Sequence, residues 1–170
     1  LWHGFVKWER GTRDDGSDSH AAPIGSDWQE LRIALVEIDS GAKKTASGAG
    51  MNHTTATSPL YAAWPETAAA DLAAIEAAIH ARDFSTLGSV AEANALAMHA
   101  TMLAARPALC YLQPQTLTTL HRLWQARADG LDIYATIDAG PNVKILCRAR
   151  DEAAVRALFP QALWVNPFQS

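Results

Sequence analysis

Residues 132–148 read DIYATIDAGPNVKILCR, and this stretch decides the predicted fold. Apolar and polar residues alternate from Asp132 to Asp138 and again from Val143 to Arg148, with the period of a β-strand. Between these runs, residues 139–142 have the composition of a tight turn. The stretch therefore predicts two neighbouring antiparallel strands joined by that turn.

The rest of the chain surrounds this pair with helices and further strands. Alternation predicts strands at Phe5–Trp8 and Leu31–Ile38. Apolar spacing of three to four residues predicts helices at residues 65–83, 85–105, 114–128 and 152–158. Strands at both ends of a helical run predict an α+β domain, with an antiparallel sheet covered on one face by helices, and disfavour parallel βαβ winding.

Composition limits the classes of function. The 170 residues are the length of a single domain, residues 1–170, and they are 49% hydrophobic and 19% charged. No apolar run is long enough to span a membrane. A net charge of −4 predicts no polybasic surface for nucleic acid. The two cysteines, Cys110 and Cys147, are far apart and suggest neither disulfides nor a zinc site, so we predict a cytoplasmic protein.

Two polar segments were candidates for ligand-binding loops. Gly41–Pro59 is rich in Gly, Ser and Thr, which predicts a loop or the entry of a helix, and such loops often carry function. Lys43 and Lys44 lie in it, but the segment lacks the spacing of a P-loop. Asp15 and Asp18 lack the further acidic ligands of a calcium loop, so no metal site is predicted.

Asp138 is the carboxylate that the residue pattern singles out. It shares strand parity with Tyr134 and Thr136, and it precedes the turn glycine, Gly140. A carboxylate there can hold a substrate hydroxyl while the turn amides meet an anion. An aspartate before a glycine turn can equally serve only to stabilise the turn, and spacing does not decide between these alternatives.

Two further polar residues lie within the predicted second helix. Asn94 shares a helical stripe with Met98, so its amide should need a partner in the interior. His99, one residue further along, is expected to be a structural histidine.

Several motifs together resemble the C-terminal half of the diphosphomevalonate decarboxylase family, within the GHMP kinase superfamily, and especially its bacterial members. They occur in the family's order over nearly the whole chain, up to about Ala149. The segments that carry the resemblance are residues 4–8, 15–19, 43–51, 57–58, 61–64, 83–84, 87–88, 94, 98–101, 111–112 and 138–146.

This resemblance implies an activity. The family's enzymes use ATP and Mg²⁺ to phosphorylate the tertiary 3-hydroxyl of mevalonate 5-diphosphate. Loss of that phosphate together with CO₂ then yields isopentenyl diphosphate, the isoprenoid precursor. A sister activity of the same fold, a mevalonate 3-kinase or a phosphomevalonate decarboxylase, remains an alternative, as does a non-catalytic domain for dimerisation or partner binding.

The resemblance also implies residue roles. Asp138 would orient or deprotonate the 3-hydroxyl, with Ala139, Gly140 and Asn142 lining the substrate side. The residues expected to border or support the cleft are Ser47, Gly50, Met51, Asn94, Met98 and His99.

Departures from the family pattern accompany these matches. Lys7 stands where the family has a glutamate, and Ala46-Ser47-Gly48 replaces a run that contains an arginine. The superfamily's ATP phosphate loop is missing from these residues. We therefore expect a C-terminal domain, inactive alone, that functions with an N-terminal ATP-binding domain in a homodimer.

Overall fold

The computed structural model describes residues 4–9, 11–13, 15–41 and 45–168. Two strands near the beginning, β1 (Val6–Glu9) and β2 (His20–Pro23), pair antiparallel with each other. The other elements are β3 (Leu31–Val36), α1 (Ser47–Thr57), α2 (Trp64–Ala81), α3 (Phe84–Leu103), α4 (Pro114–Ala128), β4 (Tyr134–Thr136), β5 (Val143–Arg148), α5 (Glu152–Leu158) and β6 (Leu163–Val165). None of the helices in the described part of the chain is both long and apolar enough to cross a membrane.

The predicted pair of strands forms part of a four-stranded antiparallel sheet with the order β4-β5-β3-β6. Within the pair, Tyr134 lies opposite Leu146 and Thr136 lies opposite Lys144. The α+β class and the antiparallel pairing are confirmed. The connection is longer than a tight turn because β4 ends at Thr136, which leaves residues 137–142 between the strands.

Local sequence signals account for the ends of the helices. Asp83 accepts a hydrogen bond from the N–H of Thr86 at the start of α3, as an N-cap should. At α4, Gln113 and Thr116 form a capping box around Pro114. The helix predictions from residue 65 onward are confirmed to within two residues at nearly every end.

Three elements differ from the sequence predictions. Gly41–Pro59, interpreted as a loop or helix entry, contains the helix α1. Its threonines fit a helix because their hydroxyls donate to carbonyls four residues earlier, as Thr54 does to Gly50 over 2.8 Å. The short strands β2 and β6 were not predicted, since three or four residues carry too little alternation to be recognised.

The main core lies between one face of the sheet and helices α4 and α5. Alternate residues of β3 and β5 point into it, and Val143, Ile145 and Cys147 are fully buried there. Leu120 and Leu123 of α4 and Phe159, just after α5, close this layer. The antiparallel sheet with helices packed on it is confirmed, but the covering is not limited to this face, because α2 and α3 pack against part of the other one.

The opposite face of the sheet is divided into two halves. One half is apolar, where Tyr134 and Leu146 pack with Trp28, Phe84 and neighbouring residues in a second cluster. Phe84 lies at the first turn of α3, and nearby Gly88 approaches the Tyr134 ring so closely that a Cβ atom would overlap it. The other half carries Thr136 and Lys144 and is only partly covered.

Helix α3 is fastened to the free edge of the sheet by a buried carboxylate. Glu92, 8% exposed, accepts hydrogen bonds from Arg127 at 2.6 and 3.0 Å and from the indole N–H of Trp124 at 3.0 Å. It also accepts from the backbone N–H of Ala135 in edge strand β4 at 2.8 Å. One carboxylate therefore joins α3, α4 and β4.

We expect that replacing Glu92 with alanine destabilises the protein by about 3–5 kcal/mol, because Arg127, Trp124 and Ala135 then lose a shared acceptor. Urea unfolding of the wild type and the variant measures this change. The exposed Glu30→Ala is the matched control, with a change within about 0.5 kcal/mol. A loss below about 1 kcal/mol for Glu92→Ala would contradict the assigned role.

A second side chain of α3 contacts the backbone just beyond β4. His99, 2% exposed, has its Nε2 atom 3.1 Å from the carbonyl oxygen of Asp138. Burial is the main cause that lowers the pKa of His99 below its usual 6.5, and the nearby Asp138 carbonyl and carboxylate oppose this shift. The folded protein therefore keeps His99 neutral, with Nε2–H as the donor.

The depressed pKa of His99 predicts a pH dependence of stability. The unfolded chain binds this proton more readily, so the stability from neutral His99 is full above pH 6.5 and declines as the pH falls below that value. His99→Gln removes the titration. Its free energy of unfolding should change less between pH 7 and about pH 5.5 than that of the wild type. Equal changes in the two proteins would refute this assignment.

Candidate active site

Asp138 stands two residues beyond β4, on the partly covered half of the sheet. Its side chain is 64% exposed, and Oδ1 lies 3.2 Å from the Nζ atom of Lys144. Lys144 belongs to β5 and lies opposite Thr136, so strand alternation puts it on the face of the sheet that Asp138 also shares. The carboxylate is thus open to a ligand on one side and ion-paired on the other.

The backbone around Asp138 is tightly held although its side chain is exposed. Its carbonyl oxygen accepts hydrogen bonds from His99 and from the N–H of Gly140 at 2.7 Å. Three residues after Asp138, the carbonyl of Pro141 accepts a hydrogen bond of 2.8 Å from the fully buried hydroxyl of Thr116. The turn is therefore anchored from α3 on one side and from α4 on the other.

The side chain of Asn142 is hydrogen-bonded to the backbone just after β3. Its Oδ1 atom accepts from the N–H groups of Ile38 at 2.8 Å and Asp39 at 2.9 Å, and its Nδ2 donates to the carbonyl of Asp39 at 3.1 Å. The expected role was to line the substrate side. The structure engages the amide oxygen of Asn142 with two backbone N–H groups, which makes it a clamp within the protein.

The backbone N–H groups of the turn, which were expected to meet an anion, differ in whether they already have a hydrogen-bond partner. The N–H of Gly140 is used by the carbonyl of Asp138, and Gly140 is buried. Among the described residues, the structure gives no hydrogen-bond partner to the N–H of half-buried Ala139. Of these two amides, Ala139 is the one open to an incoming group.

A cavity of about 300 Å³ adjoins the turn. Pro141 and Asn142 form one wall, and Thr45 lies across from them just before α1. Its remaining lining residues are Asp39, Gly41, Leu109, Cys110, Tyr111, Leu112 and Gln113. The structure thus brings the last two residues of the turn, Pro141 and Asn142, and Thr45 before α1 to a common space, although they are far apart in the sequence.

Helix α1 begins two residues after Thr45, which lines this cavity. Ser47 is the first residue of the helix, and Ala46 at the N-cap has no side chain that could accept from the first turn. Gly50 is buried where a Cβ atom would overlap the Tyr111 hydroxyl, which donates to the carbonyl of Thr45 at 3.1 Å. Met51, by contrast, is 63% exposed and contributes to the outer surface.

The structure separates the predicted cleft residues of α3. Asn94 donates to Asp71 of α2 through a 2.9 Å hydrogen bond, so its partner lies between two helices. Met98 is half-buried, whereas His99 contacts the backbone of Asp138. His99 is therefore the one of the three that reaches the turn, and Asn94 finds the interior partner that its position required.

Sequence reasoning missed two residues of this region. Lys144 could have been found from alternation alone, because a residue opposite Thr136 must share the face of Asp138. Tyr111 carried no local signal, since its contact with Thr45 joins segments 66 residues apart. Lys43 and Lys44 lie outside the described residues.

The remaining candidates for chemistry are inert or isolated. Burial raises the pKa of the Cys147 thiol to about 12, so it stays protonated in the core. Within the part of the chain that the structure describes, no group of three or more His, Cys, Asp or Glu side chains is arranged to hold a metal ion. Asp138, by contrast, is an exposed carboxylate whose backbone carbonyl is held by His99 and Gly140.

Comparisons with known proteins identify the family of the chain. The chain is 33% identical to a diphosphomevalonate decarboxylase of Aspergillus fumigatus over 98% of its own length and 42% of that protein. It superposes on mevalonate diphosphate decarboxylase from Staphylococcus aureus with a TM-score of 0.89 and 34% identity, covering 97% of this chain and 52% of the other. A solved complex of "MDDEF" with MVAPP, AMPPCP and magnesium superposes with a TM-score of 0.89 and 35% identity, covering 95% of this chain and 51% of the other.

These relatives are about twice as long as the chain, which spans about half of each protein that it matches. A model of the "Mevalonate 5-diphosphate decarboxylase C-terminal domain" matches residues 33–167. The match passes well beyond Ala149, so the expectation that the resemblance stops there is wrong. The chain belongs to the mevalonate 5-diphosphate decarboxylase family and corresponds to the C-terminal domain of its members.

Proposed function

We propose that this domain, within the complete protein, takes part in the ATP-dependent decarboxylation of mevalonate 5-diphosphate to isopentenyl diphosphate. The single observation that carries the proposal is Asp138: an exposed carboxylate on a backbone anchored by His99 and Thr116, in a chain that belongs to the decarboxylase family. An exposed side chain on a rigid support suits a group that must meet a substrate in one orientation.

The proposed role of Asp138 is to orient the tertiary 3-hydroxyl and accept its proton. The hydroxyl oxygen forms a bond to the γ-phosphorus of ATP, and ADP leaves. The C3–O bond then breaks as phosphate departs. The electron pair of the bond to the carboxylate carbon becomes the new double bond, and CO₂ is released. A tertiary alcohol is a poor nucleophile, so its positioning by a carboxylate accounts for the need for Asp138.

The residues next to Asp138 have two proposed roles, contact with the substrate and support of the turn. Ala139 is proposed to offer its N–H to the substrate, while Gly140 and Asn142 hold the turn in shape. The uncapped start of α1 at Ser47 favours a negatively charged group, since the first N–H groups of a helix carry partial positive charge. This end of the cavity is our candidate for the border with the nucleotide.

We propose that ATP and Mg²⁺ bind mainly through the N-terminal domain of the complete protein. The described residues provide no ligand cluster that fits a metal ion, so we assign none of them to the magnesium. The isolated ribbon of β1 and β2 is compatible with a contact to another domain, because Trp8 is 68% exposed on it and two strands alone are marginally stable. We further propose that the complete protein is a homodimer in the cytoplasm.

Asp138→Asn in the complete protein should lower turnover of mevalonate 5-diphosphate by about 10²- to 10⁴-fold while KM changes little, because the variant loses a group that acts on the reacting hydroxyl. The measurement is ATP-dependent release of phosphate and CO₂. Asp129→Asn, another exposed carboxylate, at the end of α4, serves as the control and should behave as the wild type.

The products distinguish the alternatives. Equal loss of phosphate and CO₂ in Asp138→Asn supports the decarboxylase. Phosphoryl transfer by the wild type without CO₂ would instead identify a sister kinase. Absence of turnover by the complete wild type would favour a non-catalytic domain, and a defect of Asp138→Asn in KM alone would contradict its role in the chemistry.

A further inference from the structure

Lys144 forms the one ion pair of the described residues that includes a residue of the 138–142 turn. Its Nζ atom lies 3.2 Å from Oδ1 of Asp138, and its side chain is 35% exposed. The other ion-paired cations in the described part of the chain have carboxylate partners elsewhere, among them Glu92, Asp132 and Glu152. The environment of the Asp138 carboxylate is therefore set by Lys144.

A contribution to the stability of the fold does not account well for the ion pair between Lys144 and Asp138. Both side chains are partly exposed, and ion pairs at a surface contribute little to folding because solvent and salt screen them. The turn is already anchored through Asn142 and Thr116 by four hydrogen bonds of 2.8–3.1 Å. Loss of Lys144 should leave the backbone of the turn in position.

In the proposed reaction, a cation beside the Asp138 carboxylate would reduce the repulsion between two anionic groups. A carboxylate that holds the 3-hydroxyl lies within a few ångströms of the arriving γ-phosphoryl group, and both are anionic. Like charges at that separation repel strongly where water is excluded. A cation on the far oxygen of the carboxylate offsets this repulsion without occupying the oxygen that meets the hydroxyl.

We propose that Lys144 is a positioning residue for the reaction, acting through Asp138. Its ammonium group holds Oδ1, so that Oδ2 turns to the substrate hydroxyl, and it offsets the charge of the carboxylate as the phosphoryl group arrives. This inference rests on the proposed function. It adds a residue of β5 to a site so far built from the turn, α1 and α3.

The test compares three single variants of the complete protein. Lys144→Met should lower kcat by about 10- to 100-fold, with KM for mevalonate 5-diphosphate and Tm nearly unchanged, because substrate binding and folding do not depend on the pair. Lys144→Arg keeps the charge and should recover most of the rate. Arg150→Met removes an exposed, ion-paired cation just beyond the other end of β5 and should match the wild type.

A double variant tests whether Lys144 acts through Asp138. If it does, adding Lys144→Met to Asp138→Asn should cause almost no further loss of kcat, since the group on which it acts is gone. A purely structural role would lower Tm and would not produce this non-additivity.

The outcomes separate the inference from the proposed function. Turnover by the wild type, its loss in Asp138→Asn, and a kcat of Lys144→Met within about twofold of the wild type would overturn the inference alone. A full, additional loss in the double variant would overturn it as well. Failure of the complete wild type to release phosphate and CO₂ would overturn the proposed function and the inference together.

Discussion

The buried carboxylate of Glu92 is the constraint on which the rest of this domain depends. A charged group that is 8% exposed is costly unless all its oxygens are paired, and Glu92 meets this condition with acceptor bonds to Arg127, Trp124 and Ala135. The last of these bonds uses a backbone N–H on the free edge of the sheet. This hydrogen bond between Glu92 and Ala135 fixes where α3 lies along β4, and therefore where the other side chains of α3, such as His99, meet the sheet.

One consequence is that the residues after β4 are hydrogen-bonded to α3, to α4 and to the residues just after β3. His99 reaches the carbonyl of Asp138 because Glu92, two turns earlier on the same helix, has already brought α3 against the edge. Thr116 and Asn142 secure the other end of the turn to α4 and β3. The domain thereby presents one exposed carboxylate on a backbone with little freedom, as positioning of a reacting group requires.

The two departures from the family pattern affect the periphery of this arrangement. The resemblance places a glutamate at position 7. Lys7 there lies 3.0 Å from both Glu9 and Glu76, which links the β1–β2 ribbon to α2. Gly48, in the run where the family has an arginine, lies in the first turn of α1 and supplies no side-chain charge. The N-terminal N–H groups of α1 therefore contribute partial positive charge there without help from a side chain at position 48.

Sequence alone determined the elements whose signals are local. Alternation predicted β1, β3, β4 and β5, and helical spacing from Pro65 onward predicted α2 to α5, because these patterns depend on neighbouring residues. The motif at 138–142 singled out Asp138 as the candidate for chemistry. Only the tertiary structure decided that Asn142 holds the turn, that Asn94 is hydrogen-bonded to α2, and that Thr45, just before α1, lies at the same cavity as Asn142. Such roles depend on partners tens of residues away, and a single sequence gives no measure of those distances.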